Sequence, residues 1–110
     1  MSDSSADVTP QDAARRAADT LLIDVRENIE WAAGHAPDAT HIPLGNLRAK
    51  SVAADARVMF ICRTGHRSGA ATTMMRQAGI NASNVAGGMI AWSASGLPVV
   101  RDDNAAGTVI

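Results

Sequence analysis

The sequence predicts an α/β fold in which a small parallel sheet of about five strands carries helices on both faces. Two short runs, Leu21 to Val25 and Val58 to Ile61, are almost continuously apolar, as is typical of parallel strands covered on both sides. Helical segments alternate with such runs along the chain. The 22 alanines and the 3% of aromatic residues indicate a core of small side chains, which suits helices packed closely on a sheet.

The first half of the chain contains two predicted helices around the first apolar run. Residues 9–12, Thr-Pro-Gln-Asp, place a capping hydroxyl, a proline and an acid at the start of a helix, which is predicted to end near Ala18. A short second helix is predicted from Glu27 to Ala33 and is closed by Gly34. The remaining predicted elements are a brief strand at Ile42-Pro43, a helix near Asn46 to Ser51, a helix from Ser68 to Ala78 that stops at Gly79, a weak strand around Ser83 to Ala86, and a last helix from about Met89 to Ser95.

The length and charge of the chain indicate one domain. We expect a flexible N-terminal tail over residues 1–6, the domain over 7–100 and a C-terminal tail over 101–110. Ten Lys and Arg against eleven Asp and Glu leave a net charge of −1, so no overall field attracts nucleic acid or anionic lipid. The longest uncharged stretch, Gln77 to Val100, is interrupted by glycines and polar residues and predicts no membrane span. The first residues lack the pattern of a secretory signal, so a cytoplasmic location is expected.

Cys62 is the one cysteine of the sequence, so it forms no internal disulfide and indicates a reducing compartment or thiol chemistry. It follows the apolar run Val58 to Ile61 directly, at the carboxyl end of a strand, where ligands collect in parallel sheets. The next residues, Arg63 to Ser68, include two arginines and Gly65, and a helix is predicted to follow. Such a loop turns its backbone N–H groups toward one point, so we interpret it as a cradle for an anion.

These surroundings predict a lowered pKa for the Cys62 thiol, because a helix N-terminus and nearby arginines favour negative charge. We therefore expect the thiolate to be a substantial species at neutral pH, and the thiolate is the form that attacks sulfur or phosphorus. The alternative is a buried structural cysteine, since free cysteine is among the most buried residue types. The position after the strand and the flanking arginines favour the reactive interpretation.

Other candidate residues carry weaker signals. Asp24 and Arg26 end the first strand on the same edge, and we interpret them as supporting charges that orient the loop. His66 is expected to face solvent, with tuning of the thiol as the alternative. His35 and His41 lack the spacing of a metal site, so no metal is expected. The two tryptophans are expected to serve in packing.

Residues 62–68, Cys-Arg-Thr-Gly-His-Arg-Ser, resemble the active-site loop of single-domain rhodaneses, the thiosulfate sulfurtransferase family. The resemblance covers the chain from about Val8 to Val99 and implies a rhodanese-like fold. It departs from the family at residues 36–38, where Ala-Pro-Asp replaces the usual Ile-Pro-Gly, and at Trp31, where the family has Phe or Tyr. The other segments that resemble family motifs, in order, are Leu22 to Glu27, Glu30-Trp31, Gly34-His35, Ala39, His41 to Leu44, Gly87 to Trp92 and Gly96 to Val99.

The resemblance implies a two-step transfer of sulfur. Cys62 attacks the outer sulfur of a small anionic donor such as thiosulfate, sulfite leaves, and the persulfide passes its sulfur to cyanide, a small thiol or a protein thiol, for example that of a thioredoxin-like protein. No cofactor is expected. Arg63 and Arg67 are the candidates to hold the anionic donor, with a structural ion pair between Arg67 and Asp24 or Glu27 as the alternative for the second arginine. The residues implied to bind the donor or the persulfide are Arg63, Thr64, Gly65, His66, Arg67 and Ser68.

Three other functions compete with this interpretation. A cysteine phosphatase or arsenate reductase has a similar loop with the pattern C-x5-R, whereas Cys62 to Arg67 is C-x4-R, a shorter loop that suits a single sulfur better than a tetrahedral oxyanion. A non-catalytic binding module of the same fold is the second alternative, and such modules often lack the cysteine. The third is a sulfur-relay carrier whose acceptor is a protein; it predicts the same persulfide on Cys62.

Overall fold

The structure, a computed structural model, describes residues 7–110; the predicted N-terminal tail, residues 1–6, lies outside the described residues. Strands and helices alternate along the chain as the sequence predicts. In order, the elements are β1 (Asp7–Val8), α1 (Pro10–Ala14), β2 (Thr20–Asp24), α2 (Asn28–Ala33), β3 (Thr40–His41), two 3-10 turns (Leu44–Asn46 and Ala49–Ser51), β4 (Arg57–Ile61), α3 (His66–Gln77), β5 (Asn81–Val85) and α4 (Gly88–Ala94).

The five strands form one parallel sheet in the order β1-β5-β4-β2-β3. In the centre of the sheet, Phe60 lies between Ile23 on β2 and Asn84 on β5. Because all strands run in the same direction, their carboxyl ends meet at one edge of the sheet. The segments that follow Asp24, Ile61 and Val85 therefore lie side by side.

Two groups of buried side chains fill the two faces of the sheet, as the alternation of side chains along a strand requires. α3 covers one face and α1 and α4 cover the other, which confirms the predicted fold class. On the α3 face lie Ile23, Val25, Leu47, Val58, Phe60, Cys62, Ala71, Met75, Ile80 and Ala82. On the opposite face lie Ala13, Leu22, Ala36, Ile61, Val85, Met89 and Trp92. Cys62 thus turns its side chain toward α3.

Several predicted element bounds differ from those observed. α1 ends at Ala14 rather than near Ala18, because the Arg16 side chain donates to the carbonyls of Ala13 and Thr20 at 3.1 Å each and closes the helix. The third strand, β3, covers Thr40–His41 and so lies two residues before the predicted Ile42-Pro43. Even so, the N–H of Ile42 still donates to Asp24 at 3.0 Å, so the edge pairing continues beyond the strand.

The predicted helix near residues 46–51 is wrong. Two separate 3-10 turns occupy this region, and Leu47 between them has extended backbone, with φ −73° and ψ 131°. The Leu47 side chain is buried in the core on the α3 face. The extended backbone at Leu47 separates the two turns and directs its side chain into the core. Among residues 7–110, no helix has the length and apolarity needed to cross a bilayer.

The last ten residues, predicted as a tail, form hydrogen bonds with the rest of the domain. The N–H of Thr108 donates to the carbonyl of Ala33 at 2.9 Å, and that of Gly107 donates to Val99 at 2.8 Å. A Cβ on Gly34 would lie 2.6 Å from the backbone of Thr108, so only glycine allows this approach. The segment ends beside the cysteine loop, where the Arg63 Nε donates to the carbonyl oxygen of Ile110 at 3.0 Å.

Candidate active site

The cysteine loop connects β4 to α3 in four residues. Cys62 follows β4 directly, and Gly65 is the N-cap of α3 in the left-handed conformation, with φ 104°. This conformation, which favours glycine, reverses the chain so that the N–H of Gly65 donates to Cys62 Sγ at 3.1 Å. The turn that starts α3 therefore directs the backbone N–H of Gly65 at the sulfur.

The start of α4 supports the loop from the opposite face. The N–H groups of Met89 and Ile90, in its first turn, donate to the carbonyls of Cys62 at 2.7 Å and Arg63 at 3.0 Å. Gly88 has φ 59°, and a Cβ at this position would collide with the backbone of Cys62 and Arg63. Gly88, the first residue of α4, thus allows the helix to approach the loop closely, and the two hydrogen bonds direct the loop carbonyls toward α4.

Opposing effects act on the pKa of the Cys62 thiol. Burial raises this pKa, whereas hydrogen bonds from the Ser68 hydroxyl and from the backbone N–H groups of Ser68, Gly65 and Thr64 lower it. The hydrogen bonds prevail, and the pKa lies below its ordinary value. The predicted direction is therefore confirmed, but the groups chiefly responsible are the loop amides and Ser68 rather than the arginines.

The thiol is nevertheless well covered. Cys62 is 1% exposed, and Ser68, whose Oγ lies 3.2 Å from Sγ, is also buried. A cysteine buried only among apolar groups has a raised pKa, so the converging donors distinguish this residue from a structural core cysteine.

Arg67 forms a two-point ion pair with Glu30, which lies in the first turn of α2. Its Nη1 and Nη2 donate to the two carboxylate oxygens at 2.7 and 2.8 Å. The pKa of Glu30 is lowered to about 2, chiefly by the arginine hydrogen bond and, to a smaller extent, by the Glu27 N–H and the charges of Arg67 and Arg26, while burial acts in the opposite direction. In turn, the carboxylate raises the pKa of Arg67. The expected alternative partners, Asp24 and Glu27, are thus wrong, because the capping box of α2 directs Glu30 to the loop.

The remaining loop side chains face outward. Arg63, Thr64 and His66 are exposed, as expected for His66. The described side-chain contact of Arg63 is the one with the carbonyl of Ile110. Arg63 is therefore the loop cation whose guanidinium is available to an approaching anion, whereas both terminal nitrogens of Arg67 are already engaged.

Asp24 and Arg26 form a second ion pair, which is completely buried. Arg26 donates to the Asp24 carboxylate through its backbone N–H, Nε and Nη2 at 2.8 to 3.0 Å, and Nη2 also donates to the carbonyl of Gly34 at 2.7 Å. The pair joins the end of β2 to the end of α2. These contacts support a scaffold role, since α2 carries the Glu30 that holds Arg67.

Two residues of the site were not among the sequence candidates. In the sequence analysis, Glu30 is named only as part of a segment that resembles a family motif. Asn84 on β5 carries no sequence signal that would mark it as a site residue. The Asn84 Oδ1 lies 2.6 Å from the Ser68 Oγ, and its Nδ2 donates to the carbonyl of Gly65 at 3.2 Å. Only the order of the strands, which puts β5 beside β4, could have pointed to it.

The two tryptophans, His35 and His41 make none of the described contacts with the sulfur. Trp31 stacks between His35 and His41, with ring centroids 3.5 and 4.8 Å apart, and Trp92 is buried in the core. Both tryptophans therefore serve in packing. Within the described part of the chain, no group of three or more His, Cys, Asp or Glu residues could hold a metal ion.

The structure thus places a cysteine, with a sulfur that accepts N–H groups, in a strand-to-helix loop at the carboxyl edge of a parallel α/β sheet. The family model described as a rhodanese-like domain matches residues 9–95 of this chain. The chain belongs to the rhodanese-like domain family.

Relatives and solved structures agree with this assignment. The chain is 36% identical over 103 residues to a sulfurtransferase of Allochromatium vinosum, an alignment that covers 88% of the chain and 96% of the relative. It is 40% identical over 70% of its length to YtwF of Bacillus subtilis, provisionally named a sulfurtransferase, of which 77% is covered. The crystal structure of a rhodanese-related protein from Thermoplasma volcanium superposes with a TM-score of 0.79 at 31% identity, covering 86% of this chain and 96% of that one.

Some relatives are considerably longer than this chain. The alignment spans 49% of an uncharacterized Synechocystis protein that is 35% identical over 77% of the chain. It spans 40% of YrkF of Bacillus subtilis, provisionally named a sulfur carrier protein, which is 39% identical over 66% of the chain. The same domain thus occurs both alone and within larger proteins.

Proposed function

We propose that this protein is a sulfurtransferase that carries a sulfane sulfur as a persulfide on Cys62. The Cys62 thiolate attacks the outer sulfur of a donor such as thiosulfate, a new S–S bond forms, and sulfite leaves with the electron pair of the broken bond. A thiophilic acceptor, such as cyanide or a thiolate, then attacks the outer sulfur of the persulfide. The second step returns the electron pair to Cys62 as a thiolate.

The observation that carries this proposal is the hydrogen bond from the Gly65 N–H to Cys62 Sγ at 3.1 Å. Together with the Ser68 hydroxyl and the other loop amides, it favours the anionic sulfur, which is both the attacking and the leaving form. The family and the sulfurtransferase name of a relative at 36% identity support the same chemistry. A loop of the form C-x4-R suits one transferred sulfur, whereas phosphatase loops are one residue longer.

The two loop arginines, Arg63 and Arg67, have different roles in this proposal. Arg63 is exposed and binds the anionic group of the donor. Arg67 is held by Glu30, so it positions the loop and contributes positive charge near the sulfur, consistent with the raised pKa that the Cys62 charge helps to give it. We assign the N–H groups of Thr64, Gly65 and His66 to binding of the transferred sulfur, and Ser68 to stabilisation of the thiolate.

A second candidate function is sulfur relay between proteins. Engagement of Arg67 by Glu30 leaves Arg63, whose Nε donates to Ile110, as the exposed loop arginine for a small dianion, and one relative carries the name of a sulfur carrier. In this version the acceptor is a protein thiol, such as that of a thioredoxin-like protein. Either version requires a reduced thiol, so we place the protein in the cytoplasm.

Mass spectrometry of the intact protein after incubation with thiosulfate tests the proposal. We expect a gain of one sulfur atom on Cys62 that a thiol reductant removes, and no gain in the Cys62→Ser variant. Absence of the adduct with thiosulfate, with a small organic persulfide and with a persulfidated protein donor would reject the proposed function. An adduct that forms fast only with the protein donor would select the relay version.

A further inference from the structure

The Ser68 hydroxyl has two neighbours that compete for its proton. Its Oγ lies 3.2 Å from Cys62 Sγ and 2.6 Å from the Oδ1 of Asn84. A serine hydroxyl carries a single hydrogen. It therefore donates to one neighbour at a time. The other contact is a hydrogen bond only if that neighbour itself supplies a hydrogen.

The orientation of the Asn84 amide is determined by its other contacts. Nδ2 lies 3.2 Å from the carbonyl oxygen of Gly65 and 3.4 Å from the Oδ1 of Asp7 on β1. Both neighbours are acceptors, so a rotated amide would place its oxygen against two oxygens. Oδ1 therefore faces Ser68, and because it carries no hydrogen, the 2.6 Å contact needs the proton of Ser68.

The thiol and the thiolate of Cys62 differ in whether both contacts of the Ser68 hydroxyl can carry a hydrogen. In the thiol form, the S–H donates to the Ser68 Oγ and the Ser68 hydroxyl donates to Asn84, so both contacts carry a hydrogen. In the thiolate form, the hydroxyl must rotate toward Sγ, and the Asn84 Oδ1 loses its donor. Asn84 thus favours the thiol, against the loop amides, which favour the thiolate.

We propose that Asn84 is a positioning residue that sets the balance between thiol and thiolate at Cys62 by competing for the proton of Ser68. In the persulfide, Sγ is uncharged and the hydroxyl returns to Asn84. When the acceptor removes the outer sulfur, the hydroxyl rotates back to the departing thiolate. The consequence for sulfur transfer rests on the proposed function, but the proton competition itself does not.

Charged groups on every adjoining element bear on this titration. Asp7 on β1 contacts the Asn84 amide, and Arg63 and His66 belong to the loop. Arg67 on α3 is paired with Glu30 on α2. All of them are retained in the variants below, and the contact between Asp7 and Asn84 is the one that the Asn84 substitutions change, which the comparison with and without Ser68 separates from the proton competition.

The test is the pH dependence of Cys62 alkylation by a neutral reagent, which requires no sulfur donor. Removing the acceptor in Asn84→Ala should move the inflection of the rate to lower pH and raise the rate at acidic pH by about two- to fivefold, since one hydrogen bond is released but a less basic thiolate is a weaker nucleophile. Asn84→Asp keeps an acceptor and adds negative charge, so its inflection should move to higher pH. Asn81→Ala, an exposed asparagine at the start of the same strand, is the matched control and should leave the profile unchanged.

A double-mutant cycle shows whether Asn84 acts through Ser68. Ser68→Ala should move the inflection to higher pH, and Asn84→Ala should have no further effect in the Ser68→Ala background. An inflection that is unchanged or raised in Asn84→Ala, or an equal shift with and without Ser68, would overturn the proposal. Should Asn84→Ala fail to fold, an Asn84→Asp profile shifted to lower pH or unshifted would overturn it equally. Persulfide formation is measured separately, so failure of the proposed function remains distinguishable.

Discussion

Two arginine–carboxylate pairs adjoin α2, and they differ in burial. Asp24 and Arg26 are fully buried at the end of β2, whereas the side chains of Glu30 and Arg67 are 15% and 32% exposed at the cysteine loop. Both pairs have good two-point geometry. The comparison shows that similar contacts serve different ends: the buried pair secures the backbone that carries α2, and the outer pair secures the loop that carries the sulfur.

Breaking the buried pair should have the largest effect on stability. Arg26→Met leaves the Asp24 carboxylate buried without a partner, which typically costs about 3 to 5 kcal/mol. We expect a fall of this size in the free energy of unfolding measured in urea, or loss of the folded protein. The matched control is Arg15→Met, since Arg15 and Asp12 form an exposed ion pair that contributes little. Equal stability of the two variants would contradict the scaffold role of Arg26.

The outer pair should make stability depend on pH. The pKa of Glu30 is lowered from 4.5 to about 2, so its contribution is fully present above its ordinary pKa and is lost as pH falls through the lowered one. Relative to Glu30→Gln, the wild-type chain should lose about 1 to 2 kcal/mol of stability between about pH 5 and pH 2, less than the pKa change alone implies because Arg67 is partly solvated. A difference between the two proteins that stays constant over this range would show that the pair is not formed in solution.

The smallest effect on stability is expected at Arg63, outside both pairs. Arg63→Met should change the free energy of unfolding by less than about 0.5 kcal/mol. In steady-state kinetics it should raise the KM for thiosulfate by about three- to tenfold with little change in kcat, because it removes a uniform binding interaction. The control is Arg57→Met, an exposed arginine at the other end of β4. Equal KM values for both variants would assign donor binding to Arg67 instead.

The central strands and the cysteine loop could be predicted because their signals are local. Leu21 to Val25 and Val58 to Ile61 are apolar runs whose observed bounds differ by a residue or so, and the place of Cys62 at a strand end follows from its position after one of them. β1 has two residues, too few for any pattern. β5 is polar along most of its length, so its register, and with it the role of Asn84, is set by its neighbours.

The ion-pair partner of Arg67 could not be predicted from the sequence, for a different reason. Three carboxylates, at positions 24, 27 and 30, were available to it, and their order along the chain gives no preference. The choice depends on where α2 lies relative to α3, which is decided by the buried pair and by the glycine contact between Gly34 and Thr108. The pairing of side chains on different elements is therefore decided by how the elements pack, whereas strands and loops can be predicted from the local sequence pattern.

The contact between Ile110 and the cysteine loop offers a way to deliver reactants. Because the Ile110 carbonyl lies 3.0 Å from the Arg63 Nε, a peptide joined directly after Ile110 begins at the rim of the cysteine loop. A thiol-bearing peptide attached there by a short flexible linker would be held near Cys62 at an effective concentration of the order of millimolar. Such a fusion would convert sulfur transfer between two molecules into an intramolecular reaction.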